Sequence, residues 1–210
     1  LLPLIEHAVR RCAVAGGETA PTFVDFFAGS GAVAKLAKTL GFSVIANDWE
    51  EYSWLLNEAF LVTNRTEAGQ LFADRGGLAA VLEILNGLDA PADKDRYVSR
   101  FYAPSVTDVA DPERERMFYT QENASRIDAI RAWIEREYPG EILDETATRE
   151  KRLLLGLLLY EAATHANTSG VFKAYHRGFG GRGGDALVRI MGRVELETPE
   201  LVDGAAEAVR

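Results

Sequence analysis

The sequence predicts an α/β fold, a parallel sheet of Rossmann-like type interrupted by a mainly helical insertion. Three observations carry that expectation. Residues 22–27 form a short apolar, β-prone run that ends in a glycine turn, as a buried parallel strand does. Residues 42–46 repeat that character after one helix-length segment and end in Asn47 and Asp48, completing a β-α-β unit. Residues 64–186 then show helical periodicity and charged loops rather than strands.

Element by element, Leu1, Leu4, Ile5, Ala8, Val9 and Cys12 lie at helical spacing with Arg10 and Arg11 opposite, so residues 1–15 read as an amphipathic helix. Residues 16–21 break it before the first strand. Residues 32–40 read as a helix closed by Gly41, residues 52–62 as another, and residues 67–88 as one or two more, interrupted near Gly76 and Gly77. Residues 90–116 are charged and contain Pro91, Pro104 and Pro112, a loop-like excursion. Thr120 can cap a helix reaching about Tyr138, with Ile127, Ile130, Trp133 and Ile134 as its apolar stripe and Arg131 off it. Pro139 and Gly140 stop that helix. Residues 148–166 form a further long helix, apolar enough at 153–159 to be nearly surrounded by protein. Residues 178–184 are a Gly-rich loop, residues 188–196 a strand, and the last fourteen residues carry no signal.

Composition excludes several classes. With 210 residues, 47% apolar and 26% charged, the chain can bury one sizeable core. No stretch approaches the roughly 18 consecutive apolar residues that span a bilayer, and no basic leader precedes an apolar segment. The single Cys12 cannot form an internal disulfide and metal-type cysteine pairs are absent, so a reducing cytoplasm is expected and a metal is not. A net charge of −9 argues against indiscriminate coating of nucleic acid, because phosphate contacts need local positive potential. Local clustering counts for more: between residues 173 and 193, Lys173, Arg177, Arg182, Arg189 and Arg193 stand against only Asp185.

The glycine turn is the chemical centre of the sequence. Phe23-Val24-Asp25-Phe26-Phe27-Ala28-Gly29-Ser30-Gly31 places two glycines where a strand must turn sharply into a helix and let a ligand approach the backbone. Asp48 ends the next strand about 20 residues later, where an acidic side chain accepts hydrogen bonds from ribose hydroxyls. Nicotinamide or flavin dinucleotides and S-adenosylmethionine both present such a ribose. A pyrophosphate binder wants bare amides in a Gly-x-Gly-x-x-Gly pattern. Here Gly29-Ser30-Gly31-Ala32-Val33-Ala34 follows Asp25, whose carboxylate would repel a pyrophosphate and suits an ammonium.

The residues 25–33, followed by Val44-Ile45-Ala46-Asn47-Asp48 and Tyr52-Ser53, resemble the first two motifs of the Dam-type class of adenine-specific DNA methyltransferases. Residues 1–5 resemble the end of that class's N-terminal motif, whose glycine- and lysine-containing cofactor loop would precede residue 1. Residues 118–131 and 166–171 resemble a long-insert subset of the class, though the sequence offers no role for 118–131 beyond forming a helix. The resemblance implies a class I methyltransferase sheet with S-adenosylmethionine as cofactor. Phe27, Gly29, Ser30 and Gly31 would wrap its methionine half, Asp25 would lie near its ammonium, Asp48 would hold its ribose, and Trp49 would pack on its adenine or else cover the sheet edge. The implied reaction is methyl transfer to the exocyclic amine of adenine in duplex DNA, in a restriction–modification or strand-marking setting, with double-stranded DNA and a cognate restriction nuclease as partners. Residues 1–63 are then the cofactor-binding half, residues 64–186 the helical insertion that contacts DNA, and residues 187–210 a return to the sheet.

The class also carries an Asp-Pro-Pro-Tyr motif that orients the target amine, and these residues contain none; Asp111-Pro112 runs on into Glu113-Arg114 and reads as a turn. No catalytic residue is therefore assigned, and the expectation is an N-terminal part of an enzyme whose catalytic strand lies beyond Arg210. Lys173, His176, Arg177 and Arg182, with Phe172, Tyr175 and Phe179 interleaved, are the candidate DNA contacts. His165 reads as a core histidine with no carboxylate spaced to help it, and residues 113–116 as a solvated face. An RNA or small-molecule methyltransferase, a non-catalytic DNA-binding module on the same fold, and a dinucleotide-dependent oxidoreductase remain as alternatives.

Overall fold

The structure is a computed structural model that describes residues 2–13, 21–88, 90–140, 144–169, 174–181, 183–184 and 186–210. By its internal contacts the chain divides into two units: Leu1–Val81 with Leu143–Leu157 and Thr198–Arg210, and Leu82–Ile142 with Leu158–Glu197.

The first unit holds a small parallel sheet in the order β1-β2-β3, formed by β1 (Thr22–Asp25), β2 (Ser43–Asn47) and β3 (Ala206–Val209). Thr22 pairs with Ser43 and Asp25 with Ala46, and on the other side Val44 pairs with Ala206 and Asn47 with Val209. Helix α1 (Leu2–Ala13) comes first, α2 (Ala32–Thr39) connects β1 to β2, and α3 (Glu51–Asn57) follows β2 and runs directly into a π-turn at Glu58–Val62. Val9, Ala28, Ala34, Ala37, Phe42, Val44, Ala46 and Leu61 form the core of this unit. The first three helices and two strands thus form where hydrophobic spacing and glycine punctuation place them.

The third strand corrects the reading of the C-terminal region. It lies within the last fourteen residues, whereas residues 188–196 begin inside a short helix, α9 (Leu187–Met191), and continue without regular structure. The backbone amides there bond to side chains rather than to a strand: Val194 N–H donates to Asn123 Oδ1 (2.9 Å) and Leu196 N–H to Asn86 Oδ1 (2.9 Å). Strand β3 is instead placed by polar contacts just before it. Asp203 accepts from Thr66 N–H (3.0 Å) and pairs with Arg65 (3.1 Å), Asn64 Oδ1 accepts from Gly204 N–H (3.0 Å), and Lys35 Nζ donates to Glu200 O (2.6 Å). Lys38 is buried and donates to Leu61 O and Asn64 Oδ1; burial pushes its ammonium pKa down, against the opposing charges of Asp203 and Glu67.

The remaining helices are α4 (Arg65–Ala68), α5 (Leu78–Asn86), α6 (Val98–Phe101), α7 (Gln121–Glu137) and α8 (Glu145–His165). Thr120 caps α7 by accepting from Asn123 N–H (3.1 Å), and Ile127, Ile130, Trp133 and Ile134 are all buried. In the second unit, α7 organises segments that have little regular structure of their own. Asn123 Nδ2 donates to Ile190 O (3.2 Å) and Gly192 O (2.7 Å). Arg126 donates to Val194 O (2.8 Å) and Asn86 O (3.2 Å). Asp128, fully buried, accepts from the Val98 and Ser99 amides and the Ser99 hydroxyl. The 118–131 stretch therefore has a physical role: each inward polar residue satisfies backbone groups of a loop that cannot pair with itself.

Candidate functional site

The loop between β1 and α2 turns on two glycines in the left-handed region, Gly29 (φ 53°) and Gly31 (φ 76°), a conformation other residues adopt only with strain. Ala28 N–H donates to Asn47 O (3.0 Å) and Gly31 N–H to Ala28 O (2.8 Å), which ties the turn to β2 and closes it on itself. Gly31 O then accepts from Lys35 N–H (2.7 Å), starting α2.

Both ends of the Gly29 residue are held. Its N–H donates to Asp48 Oδ2 (2.8 Å), and its carbonyl accepts from Ser53 Oγ (2.6 Å) and Asn57 Nδ2 (3.2 Å). The other oxygen of Asp48 accepts from Glu50 N–H (3.0 Å), so one carboxylate links the glycine turn to the start of α3. The Glu50 amide, with that of Gly29, holds this carboxyl below the usual range against the opposing effect of burial. An ionised carboxylate offers about four acceptor positions, so Asp48 keeps capacity for hydroxyl donors after these amides.

In the sequence analysis Ser53 falls in the resembling motif without a role, and Asn57 is not singled out. They lie one turn apart on α3 and are buried, at 0% and 2% exposure. The available signal was a pair of polar residues at i and i+4 on a helix face that packs inward. Asn57 Nδ2 also donates to Ser53 O (2.8 Å), while its Oδ1 is buried with no hydrogen-bond partner among the described residues. A Cβ on Gly31 would overlap that oxygen and lie 3.3 Å from Asn57 Cγ. Gly31 is thus required by both its φ and its neighbour.

Exposed aromatic residues flank the turn. Phe27 and Trp49 are each 90% exposed, Phe26 is 66% exposed and Tyr52 50%. Asn47 Nδ2 donates to Phe26 O (3.0 Å), fixing the backbone that presents the two phenylalanines. Ser30 is exposed on the turn, and Asp25 is half-buried at the last position of β1, paired with Ala46. Gly29, Gly31 and Asp48 are therefore joined by hydrogen bonds and packing, Phe27, Ser30 and Trp49 stand on the adjoining surface, and Asp25 ends the strand beneath them.

Two of the four residues expected to contact DNA, His176 and Arg177, lie among the described residues. Lys173 and Arg182 lie outside the described residues. Arg177 pairs with Glu113 (2.9 Å), and the backbone of His176 is clasped by Asn167, which accepts its N–H (3.1 Å) and donates to its carbonyl (3.0 Å). Arg189 donates to Thr164 O and Ala166 O, and Arg193 to Asn86 O. His165 Nδ1 lies 2.6 Å from Arg189 O, as a core histidine should, but Glu161 four residues earlier does supply a carboxylate, 3.4 Å from Nε2. Burial pushes the Glu161 carboxyl pKa up, against the pull of His165. Residues 113–116 are not merely a solvated face: Glu115 accepts from Ser105 N–H (2.8 Å), Ser105 Oγ (2.5 Å) and Asp111 N–H (2.9 Å). Among the described residues no helix is long and apolar enough to cross a membrane, and no group of three His, Cys, Asp or Glu side chains is arranged to hold a metal ion.

A parallel sheet whose first strand opens into a clamped glycine turn, answered by a carboxylate after the second strand, is the arrangement at which open α/β sheets generally bind their ligands. Residues 1–180 match the family model of D12 class N6 adenine-specific DNA methyltransferases, and the chain belongs to that family. It is 33% identical over 162 residues to Type II methyltransferase M.CviAII of Paramecium bursaria Chlorella virus 1, covering 77% of this chain and 43% of that protein. It is 28% identical over 177 residues to modification methylase LlaI of Lactococcus lactis subsp. lactis, covering 84% and 26% respectively. With Type II methyltransferase M.NlaIII of Neisseria lactamica it shares 30% identity over 156 residues, 73% of this chain and 40% of the relative. The aligned region is thus less than half the length of each of these relatives. No solved structure matches the chain at a significant level.

Proposed function

We propose that the chain carries the S-adenosylmethionine-binding half of an adenine-specific DNA methyltransferase, on a Rossmann-like class I sheet. The observation that carries this reading is the Gly29 peptide, fixed at its N–H by Asp48 and at its carbonyl by Ser53 and Asn57. The residues suit the cofactor. No heavy atom lies within 4 Å of a Cβ placed on Gly29, leaving room for a ligand against the backbone; Asp48 has spare acceptor capacity, and Phe27 and Trp49 offer exposed aromatic faces.

In this reading Gly29, Ser30, Gly31 and Phe27 surround the methionine half, Asp25 accepts from its ammonium, Asp48 accepts from the ribose hydroxyls and Trp49 packs on the adenine. When bound, S-adenosylmethionine supplies an electrophilic methyl group on sulfur. The chain's own task is positioning, because the target amine is a weak nucleophile and depends on alignment with that methyl. We assign no residue of this chain to the amine itself; Asp111-Pro112 forms a turn in which Asp111 accepts from the Glu113 amide (2.9 Å).

Residues 1–63 form the cofactor half, residues 64–186 the DNA-contacting insertion and residues 187–210 the return to the sheet. Double-stranded DNA is the substrate, contacted in part by the loop bearing Lys173, His176, Arg177 and Arg182. The relatives' names, two of them Type II methyltransferases and one a modification methylase, support a restriction–modification setting with a cognate nuclease, in the cytoplasm. Isothermal titration with S-adenosylmethionine tests the central claim. Binding that falls at least tenfold in Asp48→Ala supports it; a folded Asp48→Ala chain with wild-type affinity removes the ribose role of Asp48, and a folded wild-type chain that binds no S-adenosylmethionine removes the cofactor assignment.

A further inference from the structure

The helical unit contains a cleft of about 870 Å³ that the cofactor reading does not use. Arg96, Arg100, Arg114 and Arg116 line it, against Asp93 and Glu115, in a chain whose net charge is −9. Glu115 stays ionised but makes no ion pair with them among the described residues. Both of its oxygens are engaged by Ser105 and Asp111, and these hydrogen bonds, led by the Ser105 hydroxyl, pull its pKa down to about 2. Arg96 and Arg114 each have an acidic partner, Asp93 at 3.8 Å and Asp111 at 3.7 Å, which leaves Arg100 and Arg116 as the cations of the cleft to consider.

Arg100 and Arg116 have no carboxylate partner among the described residues. Each lies over an aromatic ring instead, Arg100 5.5 Å from the centroid of Phe101 and Arg116 5.7 Å from that of Tyr102. Arg116 is further fixed by donating to Phe101 O (3.3 Å). A guanidinium seated on a ring keeps its N–H edges outward and loses less freedom when it binds, the geometry that suits bidentate contact with phosphate. Two such groups along one open cleft match successive phosphates of a polyanion better than a single phosphate.

We propose that this arginine cleft is a track for the phosphate backbone of the DNA on which the enzyme acts, placing the duplex without reading its bases. The proposal rests on the DNA reading above and adds residues beyond those of the loop around Arg177, whose charge is paired with Glu113.

Fluorescence anisotropy of a short labelled DNA duplex across a salt series tests it, with wild type, the double variant Arg100→Ala/Arg116→Ala and the double variant Arg100→Lys/Arg116→Lys. Loss of two phosphate contacts lowers the slope of log affinity against log salt by about 1.8, and low-salt affinity on the order of tenfold or more. The lysine pair keeps most of the slope, because it keeps the charges while losing the fork geometry; this separates electrostatics from misfolding. An alanine pair whose slope stays within about 0.3 of wild type, or a lysine pair as weak as the alanine pair, overturns the cleft. Tighter binding of duplex RNA than of DNA overturns the choice of DNA. Wild-type protein that binds S-adenosylmethionine but no DNA overturns the cleft and leaves the cofactor site standing, whereas normal DNA titration without cofactor binding sinks the methyltransferase reading and leaves the cleft.

Discussion

Gly31→Ala probes the clamp on the glycine turn, and its cost can be worked from two separate sources. Holding an alanine at φ 76° costs about 1–2 kcal/mol. The added Cβ also overlaps Asn57 Oδ1, so the asparagine must move and give up its hydrogen bonds to Gly29 O (3.2 Å) and Ser53 O (2.8 Å). Each is worth about 1 kcal/mol net, which brings the total to about 3–4 kcal/mol. For a chain of this size that corresponds to a fall in melting temperature on the order of 10 °C. Urea denaturation followed by circular dichroism gives the free energy, and a double-mutant cycle separates its parts. In an Asn57→Ala background only the backbone strain remains, so Gly31→Ala there costs about 1–2 kcal/mol and the coupling is about 2 kcal/mol. A cost below about 1 kcal/mol in the wild-type background, or equal costs in both, refutes the account of why glycine stands at position 31.

Other perturbations have equally definite outcomes. Gly156 on α8 is buried, and a Cβ there would collide with that of Ala59; Gly156→Ala lowers stability by about 1 kcal/mol despite its better helix propensity, and combination with Ala59→Gly is less costly than the sum of the single changes in thermal melts. Asn123→Ala leaves Ile190 O, Gly192 O and Val194 N–H without their partner and costs about 3 kcal/mol by chemical denaturation. Glu115 has a pKa held at about 2, below its ordinary 4.5, so its stabilising contacts are intact above that ordinary value and are lost as pH falls through about 2. Amide exchange protection at Ser105 and Asp111 falls over that window in wild type and is already low in Glu115→Gln. The Asp48 carboxyl is also held low, so its link between Gly29 and Glu50 weakens only on acidification below the usual aspartate range, a dependence absent from Asp48→Asn.

The parts legible in sequence are those whose signal is local. The β1-α2-β2 run announced itself by apolar runs and Gly41, and α7 by Thr120 and a stripe recurring every three or four residues. Strand β3 did not, because Ala206-Glu207-Ala208-Val209 is short and half alanine, and the segment just before it is held by Thr66, Asn64 and Lys35 from far away in the chain. The contributions of Ser53 and Asn57 were hidden for the same reason: they brace a turn more than twenty residues away. At the Gly-rich loop, counting cations around residue 177 cannot reveal that Glu113 meets one of them across 64 positions. Glu115 was hidden in a charge run whose alternation suggested solvent, although the unsatisfied amides of residues 105 and 111 required an acceptor.

The π-turn after α3 has a consequence for how this region tolerates change in length. In a regular α-helix, steps of four residues run ahead of a full turn by about 40°, so Ser53, Asn57 and Leu61 would drift apart around the axis. The wider turn at Glu58–Val62, closed by Thr63 N–H on Glu58 O (3.2 Å), takes back part of that lead. Ser53 and Asn57 can then face the glycine turn while Leu61 enters the core beside Val44 and Ala46. Deleting one residue between 58 and 62 would restore ordinary winding and rotate one half of the helix against the other, withdrawing either Asn57 from the turn or Leu61 from the core. The residue count of this stretch is therefore fixed by two contacts at once, Asn57 at the turn and Leu61 in the core.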